Sequence, residues 1–224
     1  MTGRFPTGRS DGAAIVLVAV ALAVSLHALH AGAGDRRRPR YLSRLEAEVV
    51  REINRVRTGP AAYAGYLEDW LPYYKGEVRK LPGRNPVRTI EGPRAVTEAV
   101  RYLRTARALH RLEPSRGMSR GARDHVRDMG PSGALGHKGF DDSTAGIRVN
   151  RYGKWNKRIG ENIAYGGDRA REIVIRLIID DGVPGRGHRH NLFDPEFYFV
   201  GVSFGPHKTY ETMCVITLAG DYTE

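Results

Sequence analysis

The single cysteine of this 224-residue chain, Cys214, decides how the chain must hold itself together. With no second thiol there is no intramolecular disulfide, so a folded state has to come from packing apolar side chains. Met213 and Val215-Ile216 flank it in a run that reads as a strand, and no cation adjoins it, which predicts a buried, unreactive thiol. The length allows one domain of about 150–200 residues with a short N-terminal extension.

That extension is legible. Arg4 and Arg9 precede an apolar run, Ala13–Leu26, of signal-peptide length, and Ala31-Gly32-Ala33 supplies small residues where cleavage would fall. The stretch from Gly12 to Gly34 has no Asp, Glu, Lys or Arg and could just span a bilayer. Residues 1–33 are therefore expected to be a signal peptide or a signal anchor, residues 34–41 a basic linker, and residues 42–224 the domain. The expected location is extracytoplasmic, secreted or periplasmic, with membrane contact only through an uncleaved N-terminal segment.

Charge narrows the partners. Lys and Arg number 36 against 25 Asp and Glu, a formal net charge of +11. Residues 1–40 hold only six of the basic and two of the acidic residues, so the excess belongs to the domain. Such a field concentrates anions, which admits acidic lipids, acidic glycans and nucleic acid. The export segment, and the lack of a helix-turn-helix, zinc-finger or aromatic-platform pattern, count against nucleic acid.

Periodicity predicts a helix from Ser43 to Thr58, opened by the S-x-x-E capping box Ser43–Glu46. A second short helix through Tyr63, Leu67 and Trp70 should stop at Pro72, and Leu71–Gly92 reads as a long surface loop. Helices should follow from Pro93 and from Ser115, with His125 at the edge of an apolar stripe as a hydrogen-bonded core residue. Gly130–Arg158 shows no period and is expected to be loop. Asn162–Tyr165 suits a short strand, and Asp168 can cap a helix burying Ile173, Val174, Leu177 and Ile178. Phe197–Phe204 and Met213–Leu218 suit an antiparallel hairpin joined by Gly205–Thr212.

Three stretches set imidazoles and a carboxylate beside glycine: Gly136-His137-Lys138-Gly139, Gly160-Glu161-Asn162-Ile163 and Gly187-His188-Arg189-His190-Asn191. They are expected to form one site. His190 alternates with His188 across Arg189, so whichever of the two points inward, the other should face solvent or cap a turn; Arg189 and Asn191 should tie down the Asp194-Pro195 turn, and His110 and His207 read as surface residues.

These motifs stand in a telling order. They follow an early helix, Arg51-Glu52-Ile53-Asn54-Arg55-Val56-Arg57 with Pro60 after it, and Ala122–Met129 with His125, and they precede Val200-Gly201-Val202. The chain thereby resembles a bacterial member of the CAP superfamily, the cysteine-rich secretory protein, antigen 5 and pathogenesis-related (SCP) domain, over about Leu42 to Asp221. The resemblance implies an α+β fold, a three-layer α-β-α sandwich with a central antiparallel sheet, and an open cleft holding two histidines and two acids. His137, Glu161 and His188 match three of these. Asp180 is taken as the second acid with Asp181 in reserve, because Leu177–Pro184 departs from the usual pattern of Trp followed by an acid or serine. The disulfides of animal and plant members are missing, which puts their sterol-binding or toxin-like roles in doubt for this chain.

Two neutral imidazoles with carboxylates suit a divalent metal such as zinc, with water in an open position. His137, Glu161, Asp180 and His188 are thus candidate metal ligands as well as ligand-binding residues. No H-E-x-x-H pair is present, and no residue is assigned a catalytic role. The preferred reading is a non-catalytic binding module for an envelope or extracellular glycan, lipid or other polyanion. The alternative is a metal-dependent hydrolase or protease acting on peptides or cell-wall material.

Overall fold

A computed structural model describes residues 1–3 and 38–224. Arg38–Glu224 forms one compact unit. The expected export segment, apart from its first three residues, and residues 34–37 of the expected linker lie outside the described residues. Among the described residues, no helix is long and apolar enough to cross a membrane. Arg38 already belongs to the domain, donating to the Leu42 carbonyl at 2.7 Å, and the Tyr41 hydroxyl donates to the Pro114 carbonyl at 2.9 Å.

Helix α1 (Arg44–Thr58) begins where Ser43 and Glu46 close the capping box, the Ser43 N–H donating to the Glu46 carboxylate at 2.6 Å. Its apolar stripe of Val49, Ile53 and Val56 is buried. Helix α2 (Pro60–Glu68) follows, with proline in the first turn where a missing N–H costs nothing. Leu71–Gly92 is more ordered than a loop. Leu71–Tyr73 makes a 3-10 turn, and β1 (Tyr74–Lys75), β2 (Val78–Arg79) and β3 (Val87–Arg88) pair as a small antiparallel sheet. Two-residue strands are too short to show alternation in sequence, which is why no pattern announced them.

Helices α3 (Pro93–Thr105) and α4 (Arg116–Met129) start at the expected places, α4 with the Ser115 hydroxyl accepting from the Met118 N–H. Gly130–Arg158 hides a short helix, α5 (Ala145–Asn150), capped by Thr144. Six residues make under two turns, so helical periodicity was not readable there. Helix α6 (Ala170–Ile179) buries Ile173, Val174, Leu177 and Ile178 as expected. Asp168 does not cap it; its carboxylate pairs with Arg84 instead. Helix α7 (Gly187–Leu192) carries the Gly-His-Arg-His-Asn motif.

The main sheet has the order β4 (Glu113–Pro114), β6 (Phe199–His207), β7 (Glu211–Thr223), β5 (Lys154–Tyr165). The β6–β7 and β7–β5 pairs are antiparallel, while the two-residue β4 lies parallel to β6. The hairpin strands run further than expected, through most of Gly205–Thr212, because His207 and Glu211 still pair. Alternation sends successive side chains to opposite faces. Val200, Val202, Cys214, Ile216 and Leu218 join α1, α3 and α6 in the larger core, while Met213 and Val215 pack with Ala122, Val126 and Met129 of α4. Helices thus cover both faces, the three-layer α-β-α sandwich. Gly201 permits the close approach of α4, since a Cβ there would lie 2.3 Å from the Met118 carbonyl carbon. Cys214 is buried in the larger core, and that burial pushes its thiol pKa up.

Candidate functional site

Strand β5 pairs only with β7, so its other edge is open among the described residues. Glu161 and Asn162 sit on it as neighbours and face opposite ways. On the α4/α5 face, the buried Glu161 carboxylate takes two partners. His137 Nδ1 lies 3.0 Å from Oε1, and Arg148 Nη2 of α5 donates to Oε2 at 2.6 Å. Arg148 is itself buried and also donates to the His137 and Ser143 carbonyls at 3.1 and 2.7 Å. Burial alone would raise the Glu161 pKa, but the His137 hydrogen bond and the Arg148 charge outweigh it and hold the carboxyl below 4.5. An ionised carboxylate only accepts, so His137 Nδ1 is the donor, and in the neutral ring Nε2 keeps its lone pair. The His137 side chain is 57% exposed beside a hollow of about 370 Å³ walled by Lys138, Ala145, Gly146 and Ile159.

Three side chains fix the backbone that presents His137. His125, fully buried in α4, has Nε2 2.9 Å from the Gly136 carbonyl. The Gly136 N–H donates to the Tyr165 hydroxyl at 3.0 Å, and His207 Nε2 lies 3.0 Å from the Ala134 carbonyl. His125 is the core histidine expected; burial, then the Arg148 charge, lower its pKa below 6.5. His207 corrects the surface reading: it is buried against Tyr165 in an edge-on ring contact, because β6 runs further than its apolar run suggested.

The second pair lies on the α6/α7 side. Asp180 ends α6 in the left-handed conformation, φ 54° and ψ 43°, which turns its carboxylate back toward α7. Its Oδ1 lies 2.6 Å from His188 Nδ1, and Oδ2 accepts from the His188 N–H at 2.9 Å. Asn162 Nδ2 donates to the His188 carbonyl at 2.9 Å, and Asn191 Nδ2 donates to the Asn162 side-chain oxygen at 2.8 Å, which fastens α7 to β5. Asp181 has another task, accepting from the Ile90 and Glu91 N–H groups at 2.7 and 2.9 Å. His190 is exposed.

The side chains of Arg189 and Asn191 do not hold the Asp194-Pro195 turn, although the Asn191 carbonyl accepts from the Asp194 N–H at 3.5 Å. Arg189 is buried and forks onto Glu98 of α3 at 2.6 and 2.5 Å, with its Nε on the Ile178 carbonyl. Arg57 holds the turn instead, donating to the carbonyls of His110, Leu192, Asp194 and Phe197 from a fully buried position. Burial lowers the Arg57 pKa to about 10. His110 is exposed, as expected. The roles of Arg148 and Arg57 are what sequence reasoning missed: Arg148 lies in a stretch without period, and Arg57, although it closes the early helix motif, acts on carbonyls 53 to 140 residues away.

The four expected metal ligands therefore stand as two His–carboxylate pairs. Both oxygens of each carboxylate are engaged in hydrogen bonds, and among the described residues no group of three or more His, Cys, Asp and Glu side chains gathers as a metal site. A four-ligand shell does not fit this arrangement. The donors left for a ligand are the two Nε2 atoms, each with a carboxylate behind the ring, the way an imidazole is oriented from its far nitrogen.

A family model described as "Cysteine-rich secretory protein family" (CAP) matches residues 97–218. The chain belongs to the CAP family. Among solved structures, this CAP domain is similar to an outer surface protein of Borrelia burgdorferi, with 16% identity and TM-score 0.42 over 50% of this chain and 78% of that one. It is also similar to an extracellular protein containing a SCP domain from Bacillus anthracis, with 21% identity and TM-score 0.43 over 55% of this chain and 38% of that one. A cysteine-rich secretory protein of Staphylococcus aureus is similar at 10% identity and TM-score 0.37, over 62% of this chain and 43% of that one. The match spans less than half the length of the last two. A search of curated proteins finds no match.

Proposed function

We propose that this CAP domain is an exported, non-catalytic binding module that takes an envelope or extracellular glycan, lipid or other polyanion at the His137–Glu161 and His188–Asp180 pairs. The observation that carries this reading is the chain from buried Arg148 through buried Glu161 to the exposed His137 ring at the open hollow of about 370 Å³. It is a rigid polar anchor facing solvent, with Ile159 and Ala145 as apolar wall. Leu135, Phe140 and Ile147 are exposed on the same loop and helix and would meet the apolar part of an amphiphile. Imidazole Nε2 atoms accept from hydroxyls when neutral and donate to phosphate or carboxylate when protonated. The net charge of +11 favours the anionic members of this ligand class. The apolar run before residue 34 supports export.

The alternative is a metal-dependent hydrolase, and one observation favours it: an imidazole anchored by a carboxylate at Nδ1 is also how a general base or a zinc ligand is oriented. Calorimetric titration of the full chain with phosphatidylglycerol vesicles and with a heparin tetrasaccharide separates the readings. Saturable binding should weaken about tenfold or more in the His137→Ala/His188→Ala double variant, with circular dichroism showing that the variant is still folded. Binding indifferent to both substitutions overturns the proposal. Turnover of peptide or cell-wall substrates that stops on chelation, and in the same variant, would establish the alternative.

A further inference from the structure

A second hollow, of about 450 Å³, shares no lining residue with the one at His137. It opens where β6 begins and β7 ends. The His110 and Tyr198 rings stack there in parallel, centroids 4.2 Å apart and 11° between planes, with Tyr198 50% exposed. His110 is held from behind, its Nε2 2.8 Å from the Phe197 carbonyl.

The strand beside it is deformed toward the hollow. Between Asn156 and Ile159 the β5–β7 register slips, so that Lys157 and Arg158 lie opposite the single residue Gly220. Lys157 takes φ +67°, a conformation costly for a residue with a side chain, and its N–H is held by the Asn156 side-chain oxygen at 2.8 Å. Gly220 has no room for a Cβ, which would lie 2.9 Å from the Glu196 carbonyl oxygen and 3.4 Å from the Lys157 Cβ. The bulge thus carries Lys157 out of the ladder to the wall of the hollow, where Arg111, Glu113 and Asp221 also lie. The neighbouring ion pairs join Arg158 to Asp194 and Glu196, and leave these four charged groups without a salt-bridge partner among the described residues.

We propose that this hollow is a saccharide-binding subsite for a neutral sugar, separate from the histidine site. An aromatic face receives the C–H face of a pyranose, while unpaired carboxylates accept from its hydroxyls and unpaired cations donate to its oxygens. Two carboxylates beside two cations give no net attraction to a polyanion, which sets this surface apart from the basic character of the whole domain. Stacking on a ring already held flat by His110 loses little conformational entropy.

The test is saturation-transfer NMR on the full chain with chitotriose, cellotriose, maltotriose and mannotriose. At least one should bind saturably, with transfer to its ring protons. Tyr198→Ala should weaken that binding about tenfold, and Asp221→Asn or Lys157→Ala by about threefold, while His137→Ala leaves it unchanged. Circular dichroism and Tm confirm that each variant is folded. The proposal is overturned if none of the four binds at millimolar concentration, if Tyr198→Ala binds as wild type, or if a heparin tetrasaccharide binds this hollow in preference to the neutral sugars.

Discussion

Glu161 lies buried between a histidine and an arginine, and its carboxyl stays below 4.5 because those partners outweigh burial. Its folded pKa is depressed, so its contribution to stability is present above 4.5 and is lost as pH falls through the folded value. Removing Arg148 strands the charge: Arg148→Met should cost about 3–5 kcal/mol at neutral pH in urea unfolding, and less in the Arg148→Met/Glu161→Leu pair. His125 adds a second acid-side loss. Neutral in the core, it resists the proton that its unfolded counterpart gains below 6.5, so stability should fall as pH drops from there. His125→Gln should remove that part of the pH profile. His125 and Cys214 were legible because burial follows from an apolar neighbourhood, and His137, Glu161 and His188 because short motifs flagged them. Arg148 and His207 were not, since their importance lies in contacts that only the folded chain creates.

Helix α6, its left-handed exit at Asp180 and helix α7 form the element that delivers His188. The small β1–β3 segment is clamped to that exit. Glu91 accepts from Gly182 N–H and from both Arg186 amines, and the Arg186 hydrogen bonds followed by the Gly182 N–H hold its pKa at about 2. Glu91→Ala should speed amide exchange across residues 181–188 while leaving α1 and α4 protected. A sharper packing test is Gly201→Ala. With a Cβ 2.3 Å from the Met118 carbonyl carbon, α4 must move away from the sheet, at a cost of about 1–3 kcal/mol in urea unfolding. The longer helices and the hairpin could be read in advance because each runs long enough to repeat its period. Strands β1–β4 and helices α5 and α7 could not, for want of length.

At the scale of the whole molecule, the three layers place the edge strand β5 between two histidine pairs that reach it from opposite faces. Order of motifs made the family legible; pairing did not follow from it, since spacing along a chain says nothing about which carboxylate meets which ring. The net charge of +11 predicts that binding of a heparin tetrasaccharide weakens steeply with salt, whereas neutral sugars at the Tyr198 hollow should be nearly salt-independent. At the histidine site, Glu161 and Asp180 should each hold an imidazole by Nδ1 and turn Nε2 toward a ligand. Long-range ¹H–¹⁵N NMR of the histidine rings, at a pH where both are neutral, reads this directly. His137 and His188 should carry their proton on Nδ1, and both Nε2 resonances should shift when the ligand binds. Protons on Nε2, or rings that ignore the ligand, would contradict it.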